Sequence, residues 1–123
     1  MPLIKQKFIT RQNLQDNPDW SYIFGDNIQR TGYGGQAREM RGEPNAIGIP
    51  TKLSPYEFFD DKRDFETARK CFNVIFADIM LMLNNGDTVV FPEDGIGTGL
   101  ANLGEVAPGI HSMLNAHLKS IGV

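Results

Sequence analysis

The chain has 123 residues, 41% of them apolar and 22% charged, with a formal net charge of −3. That length supports one domain with a real core and is too short for two. The mild negative charge excludes a general electrostatic pull toward nucleic acid, although Arg30, Arg38 and Arg41 cluster locally.

In chain order, MPLIKQKF lacks the apolar centre of a signal peptide, and residues 3–9 mix apolar and cationic side chains as an edge strand does. Thr10 is placed to cap a short helical turn reaching Leu14, which Asn17-Pro18 ends. The aromatic and β-branched run 20–24 predicts the second strand, which must stop at Gly25-Asp26-Asn27. Gly32-Tyr33-Gly34-Gly35 then opens a short helix over 36–41, with Gly42 as its C-terminal cap. GYGGQA has the G-x-G-x-x-A spacing of a dinucleotide fingerprint, but its first glycine comes several residues after the strand instead of directly on it.

Residues 46–49 (AIGI) read as a short, wholly apolar parallel strand delivering Pro50-Thr51-Lys52. Ser54-Pro55-Tyr56-Glu57 carries a cap, a proline at the first helical position and a capping-box glutamate, so a helical turn is expected there. After a break near Asp60-Asp61, a long helix is expected over 62–83. Phe65, Ala68, Phe72, Ile75, Phe76, Ile79 and Leu83 share one of its faces, and Asn84-Asn85-Gly86 stops it. Cys71, the only cysteine, is expected as a small buried hydrophobe. One cysteine excludes an internal disulfide and suits a reducing compartment. The run 71–83 is broken by Asn73 and Asp78 and is too short to span a bilayer, so a cytoplasmic protein with no membrane partner is expected. The last helix is expected over 105–120, with Val106, Ile110, Met113, Leu114, His117 and Ile121 on its apolar face. His111 and His117 read as core-edge or surface residues.

Residues 87–100, DTVVFPEDGIGTGL, hold the densest chemistry. A β-branched strand ends at Pro92, and Gly95, Gly97 and Gly99 alternate with Ile96, Thr98 and Leu100 before the next helix. A strand opening through glycines toward a helix is the common way to build an anion site, because the backbone approaches the oxyanion closely and presents free amides. No Gly-Lys-Ser/Thr follows, so this is not a Walker loop. A glutamate at Gly97 is expected to block the loop and leave the fold intact.

Alternating strands and helices predict an α/β fold with a largely parallel sheet, and ligands in such folds sit outside the carboxyl ends of the strands. Right-handed crossovers bring Asp26-Asn27, Thr51-Lys52 and the loop Asp94–Leu100 to one rim. Two glycine-rich loops there suit a diphosphate, and Asp26 with Asn27 suits ribose hydroxyls or a base edge. Tyr33 is placed to contact a sugar or base.

FGDNIQRTGYGGQA, GIPTK and FPEDGIGTGLANLGEVAPGI occur in the order found in macro domains, over roughly residues 21–121. The chain resembles a compact macro domain of the DarG and terminal ADP-ribose protein glycohydrolase branch, in a short form of phage or bacterial type. The resemblance implies a three-layer α/β/α domain with a mixed, largely parallel sheet that binds ADP-ribose without a metal or cofactor. It implies that Asp94, Gly95, Ile96, Gly97, Thr98, Gly99 and Leu100 hold the diphosphate, and that Tyr33, Gly34 and Gly35 surround the distal ribose. Lys52, beside Thr51, would be the nucleophile that attacks the anomeric carbon and displaces a modified macromolecule, protein or nucleic acid. Such a lysine needs a lowered pKa, from burial or a neighbouring cation. Two positions depart from the pattern. Ala101 stands where some relatives carry an acid, leaving Asp26, Glu93 or Asp94 to supply one, and Gln36 replaces the isoleucine or valine before Ala37. A non-catalytic reader or sponge of ADP-ribose, or a pocket for another nucleotide, are the alternatives.

Overall fold

A computed structural model describes residues 3–98 and 101–123. Five strands form one mixed sheet in the order β1-β5-β2-β3-β4, where β1 is Leu3–Gln6, β2 Ser21–Asn27, β3 Ala46–Ser54, β4 Glu57–Phe58 and β5 Val89–Pro92. The first four in that order are parallel neighbours, and β4 alone runs antiparallel, against β3. β1 is an edge strand, as its cationic side chains suggest, but it ends at Gln6 and not at Ile9.

Side-chain alternation along β2 and β5 splits the core into two layers. Tyr22, Phe24 and Val90 face one way and pack with Leu14 of α1 (Arg11–Asp16) and Ala37 and Met40 of α2 (Ala37–Met40). Ile23, Val89 and Phe91 face the other way, onto α3 (Asp61–Asn84) and α5 (Pro108–Ser120). Helices therefore cover both faces of an α/β sheet, which is why its strands are apolar on both sides. The face of α3 that meets the sheet carries Ala68, Phe72, Phe76, Ile79 and Leu83, all buried, at three- and four-residue steps. Phe65, expected on that face, lies at its margin and is 36% exposed, and Cys71 is half-buried.

Local signals explain most element ends. Thr10 and Asn13 form a reciprocal capping box on α1. Asp60 caps α3 by accepting from the Arg63 amide at 2.8 Å, and Gly86, at φ 85°, closes the turn after it. The helical turn expected at Ser54-Pro55-Tyr56-Glu57 is not formed. Ser54 Oγ does accept from the Tyr56 amide and reaches Glu57 Oε1, each at 3.3 Å, but the chain reverses and Glu57–Phe58 pairs with β3. These contacts serve a hairpin, because β3 continues to Ser54, well past Ile49. The last helical region is also broken: α4 (Leu103–Val106) ends at Ala107, and α5 starts with Pro108 at its first turn. Asp61, the first residue of α3, supplies the cap that α5 lacks locally. Its carboxylate accepts from the amides of Gly109 and Ile110 at 2.7 and 2.8 Å. Among the described residues, no helix is long and apolar enough to cross a membrane.

Candidate functional site

The carboxyl ends of β1, β2, β3 and β5 open onto one cavity of about 590 Å³, within the usual range for small-molecule sites of roughly 300–1,000 Å³. Asp26, Asn27, Tyr33, Gly34, Gly35, Thr51, Lys52, Asp94, Gly95, Ile96, Gly97 and Thr98 all line it. Gly99 and Leu100 lie outside the described residues. Lys7, Gln36, Arg41 and Tyr56 line it as well. Of these, Arg41 carried a sequence signal as part of an arginine cluster and Gln36 as a departure from the motif.

Asp26 sits at the end of β2 and is only 6% exposed. A buried carboxylate is tolerable only if its lone pairs are satisfied. Oδ1 accepts from the Asn27 amide at 2.8 Å and from Arg41 Nη2, while Oδ2 accepts from Arg30 Nη1 at 3.2 Å and Arg41 Nη1 at 3.3 Å. Four donors fill about the whole capacity of a carboxylate. The arginines expected as a basic patch thus include two that face an acid. Gly48 in β3 makes the room: a Cβ there would run into Asp26 Oδ2 and lie 2.8 Å from Arg30 Nη1.

Arg41 also fixes the first loop. Its Nε donates to the Gly32 carbonyl at 2.7 Å and its Nη2 to the Thr31 carbonyl at 3.1 Å. Asn27 Nδ2 donates to the same Thr31 carbonyl at 2.8 Å. Thr51, buried, donates from Oγ1 to the Asp26 carbonyl at 3.2 Å. Asn27 and Thr51 therefore hold the walls of the cavity together.

Two loops supply the backbone donors. Among the described residues, no hydrogen bond is donated by the amides of Gly32, Tyr33, Gly34, Gly35 and Gln36, nor by those of Ile96, Gly97 and Thr98. The second loop is held open by Gly95 and Gly97 in the left-handed region, at φ 88° and 79°. It is anchored by the buried Ile96 side chain and by the Gly97 carbonyl, which accepts from the Leu103 amide at 2.9 Å. The helix that follows is short: α4 has four residues and starts at Leu103, two residues before the expected 105. A helix of four residues adds little dipole, which leaves the undonated loop amides as the free backbone donors on this side. A Cβ at Gly97 would sit 3.1 Å from Leu103 Cδ2 and 3.4 Å from Leu114 Cδ2, so it points into the core. Gly97→Glu would therefore disturb packing, contrary to the expectation of an intact fold.

Lys52 reaches the cavity from β3. Its Nζ donates to the Pro55 carbonyl at 2.8 Å and lies 5.2 Å from the centroid of the Phe58 ring. Of the Phe58-Phe59 pair, Phe59 is buried in the core and Phe58 is half-exposed beside this lysine. Tyr33 and Tyr56 stand on the rim, 66% and 95% exposed. Lys7, Arg41 and Lys52 set three cations against Asp26 and Asp94 around the cavity. Asp94 and Glu93 are solvent-exposed. Among the described residues, no group of three or more His, Cys, Asp or Glu side chains is placed to hold a metal ion.

His111 and His117 lie on α5, and His111 lines a smaller second cavity together with Gly97 and Thr98. His117 stacks on Phe76 at 4.8 Å and meets Phe72 edge-on, and burial pushes its pKa below the ordinary histidine value.

Fold and site together define a single-sheet α/β domain with a cavity, lined by two glycine loops, at the carboxyl rim of its parallel strands. Residues 4–117 match DUF7831, a family of unknown function, and the chain belongs to that family. Comparison with curated proteins and with solved structures returned no match.

Proposed function

We propose that the chain is a macro-like domain that binds ADP-ribose or a derivative in this cavity and removes ADP-ribose from a modified macromolecule. The observation that carries the reading is the pair of glycine loops, several of whose amides donate no hydrogen bond, that line one cavity with Lys52. A diphosphate has acceptors for both sets of amides and the charge to suit Lys7 and Lys52 at the cavity. The motif resemblance supplies the rest of the ligand.

In the proposed reaction the neutral amine of Lys52 attacks the anomeric carbon of the terminal ribose. The C–N bond forms as the bond to the macromolecule breaks, and the leaving group takes the electron pair and a proton. Water then releases the sugar from the lysine. Before attack Nζ must leave the Pro55 carbonyl and the Phe58 ring, both of which suit an ammonium ion. Asp26, with its lone pairs occupied, acts by positioning Arg41 and the first loop.

A second reading, a reader that binds without turnover, is favoured by that same resting seat of Lys52. Incubation with ADP-ribosylated protein and ADP-ribosylated DNA separates the two. The hydrolase reading expects release of ADP-ribose from one of them, abolished in Lys52→Ala while ADP-ribose affinity changes little. Binding without release by the wild type supports the reader, and full release by Lys52→Ala moves the chemistry elsewhere.

A further inference from the structure

Phe58 stands directly opposite Lys52 where β4 pairs with β3, and Lys52 Nζ lies 5.2 Å from its ring centroid. Side chains placed opposite each other on antiparallel strands interact directly. The Phe58 ring is 46% exposed, whereas Phe59 beside it is 2% exposed and belongs to the core. The hairpin is held without the Phe58 ring: Phe59 seats it on the core, and Arg63 Nη2 donates to the Phe58 carbonyl at 3.2 Å. Core packing therefore does not account for an aromatic at position 58. The other group on Nζ is the Pro55 carbonyl at 2.8 Å, and among the described residues Lys52 forms no salt bridge.

We propose that Phe58 is a positioning residue that restrains Lys52, holding it at rest as an ammonium ion. The inference rests on the reading of Lys52 as a nucleophile and says what limits its reactivity. The face of an aromatic ring attracts a cation through its quadrupole and offers a neutral amine much less. Contact with the ring thus favours the form of the side chain that has no lone pair to attack with. A cation–π contact at an exposed site slows attack by roughly 2–5-fold, a restraint that a bound ligand competing for Nζ readily overcomes. The seat also adjoins the ligand loops, since a Cβ on Gly32 would lie 3.1 Å from Pro55 Cγ. The lysine is in this way kept for a ligand that fills the cavity, and reacts less with a stray aldehyde or free sugar that enters it.

The test measures how fast acetic anhydride acetylates Lys52 relative to Lys62 in the same molecule, by peptide mass spectrometry at one pH. Lys62 is exposed in the first turn of α3 and serves as the internal reference. Wild type, Phe58→Leu and Phe58→Trp are compared. Phe58→Leu removes the ring and keeps apolar bulk, so Lys52 should react roughly 2–5-fold faster. Phe58→Trp supplies a stronger cation-binding face, so Lys52 should react more slowly than in wild type, a direction that a loosened hairpin does not give. Lys52 reacting no faster in Phe58→Leu overturns the inference, and so does Lys52 reacting no slower in Phe58→Trp. Turnover is then measured on ADP-ribosylated protein and DNA. Phe58→Leu should raise kcat by the same factor with KM unchanged, and a lower kcat would overturn the inference by showing that the ring serves the reaction. A wild type that releases no ADP-ribose, with the order of labelling intact, removes the hydrolase reading and leaves the restraint on Lys52 standing.

Discussion

Arg41 holds Asp26 by both carboxylate oxygens while its Nε and Nη2 hold the carbonyls of Gly32 and Thr31. One guanidinium thus joins the end of β2 to the glycine loop that follows it. The Arg41 side chain is 15% exposed and the Asp26 side chain 2%, so the pair is largely shielded from water. Arg41→Ala is expected to destabilise by about 2–3 kcal/mol, because Arg30 remains as a partial partner. Arg41→Lys should recover only part of the loss, since an ammonium cannot span both oxygens and the two carbonyls. Urea unfolding checks both values, and an Arg41→Ala protein as stable as wild type would remove this pair from the account.

Gly48 is required by the same carboxylate. Gly48→Ala pushes a methyl into Asp26 and Arg30 at a point where β2 and β3 are paired neighbours, Phe24 opposite Gly48. A loss of about 1–3 kcal/mol is expected, together with weaker ligand binding, because Asp26 must move. Gly42→Ala makes a useful contrast. Its φ of 94° strains any side chain, yet a Cβ there meets nothing within 4 Å and the residue does not line the cavity. Stability should fall there without a change in ligand affinity.

The diphosphate assignment is tested at Thr98, which is exposed and lines the cavity beside the undonated amides. Thr98→Glu adds a negative charge without placing a side chain in the core, as Gly97→Glu would. ADP-ribose affinity should fall at least roughly tenfold, about 1.4 kcal/mol, with the melting temperature unchanged. Wild-type affinity in that variant would place the diphosphate elsewhere.

Asp64 and His117 are among the groups that shape the pH dependence of stability. The Arg63 guanidinium beside Asp64 holds its carboxyl below the ordinary 3.8, with the Asp60 amide assisting and burial opposing. A depressed carboxylate stabilises the fold above its unfolded value, and that contribution is lost as pH falls through the folded value. His117 is depressed below 6.5 by burial alone. The unfolded chain therefore takes up its proton first, and stability falls as pH drops below about 6.5. Chemical denaturation from pH 8 to 3 should show both declines. His117→Phe should flatten the upper one and Asp64→Asn the lower.

The sheet and the long helix were legible because their signals are periodic and local: Phe72, Phe76, Ile79 and Leu83 sit in register, and Asn85-Gly86 ends the run. The rim was legible because strands that end in glycine and polar residues, joined by right-handed crossovers, leave few other places for those ends. The hairpin at 54–58 was not. Ser54 and Glu57 make cap-like contacts in either structure, and what decided between them was that β3 runs on past Pro50, a tertiary matter.

The partnership of Asp26 with Arg30 and Arg41 was equally hidden. It depends on side chains 4 and 15 residues apart meeting over a glycine on the next strand. Nothing in AIGI distinguishes Gly48 from a glycine that merely fits a strand. Gln36 was visible as a departure from a motif, but that its side-chain oxygen is buried could be seen only with its surroundings in place.

The most direct test of the central claim is calorimetric titration of the protein with ADP-ribose, with AMP and NAD as controls. The account predicts a dissociation constant near or below roughly 10 µM, about 7 kcal/mol, and much weaker binding of AMP. Heat from a control with none from ADP-ribose would keep the cavity and contradict its proposed ligand, and silence from all three would contradict a nucleotide site altogether.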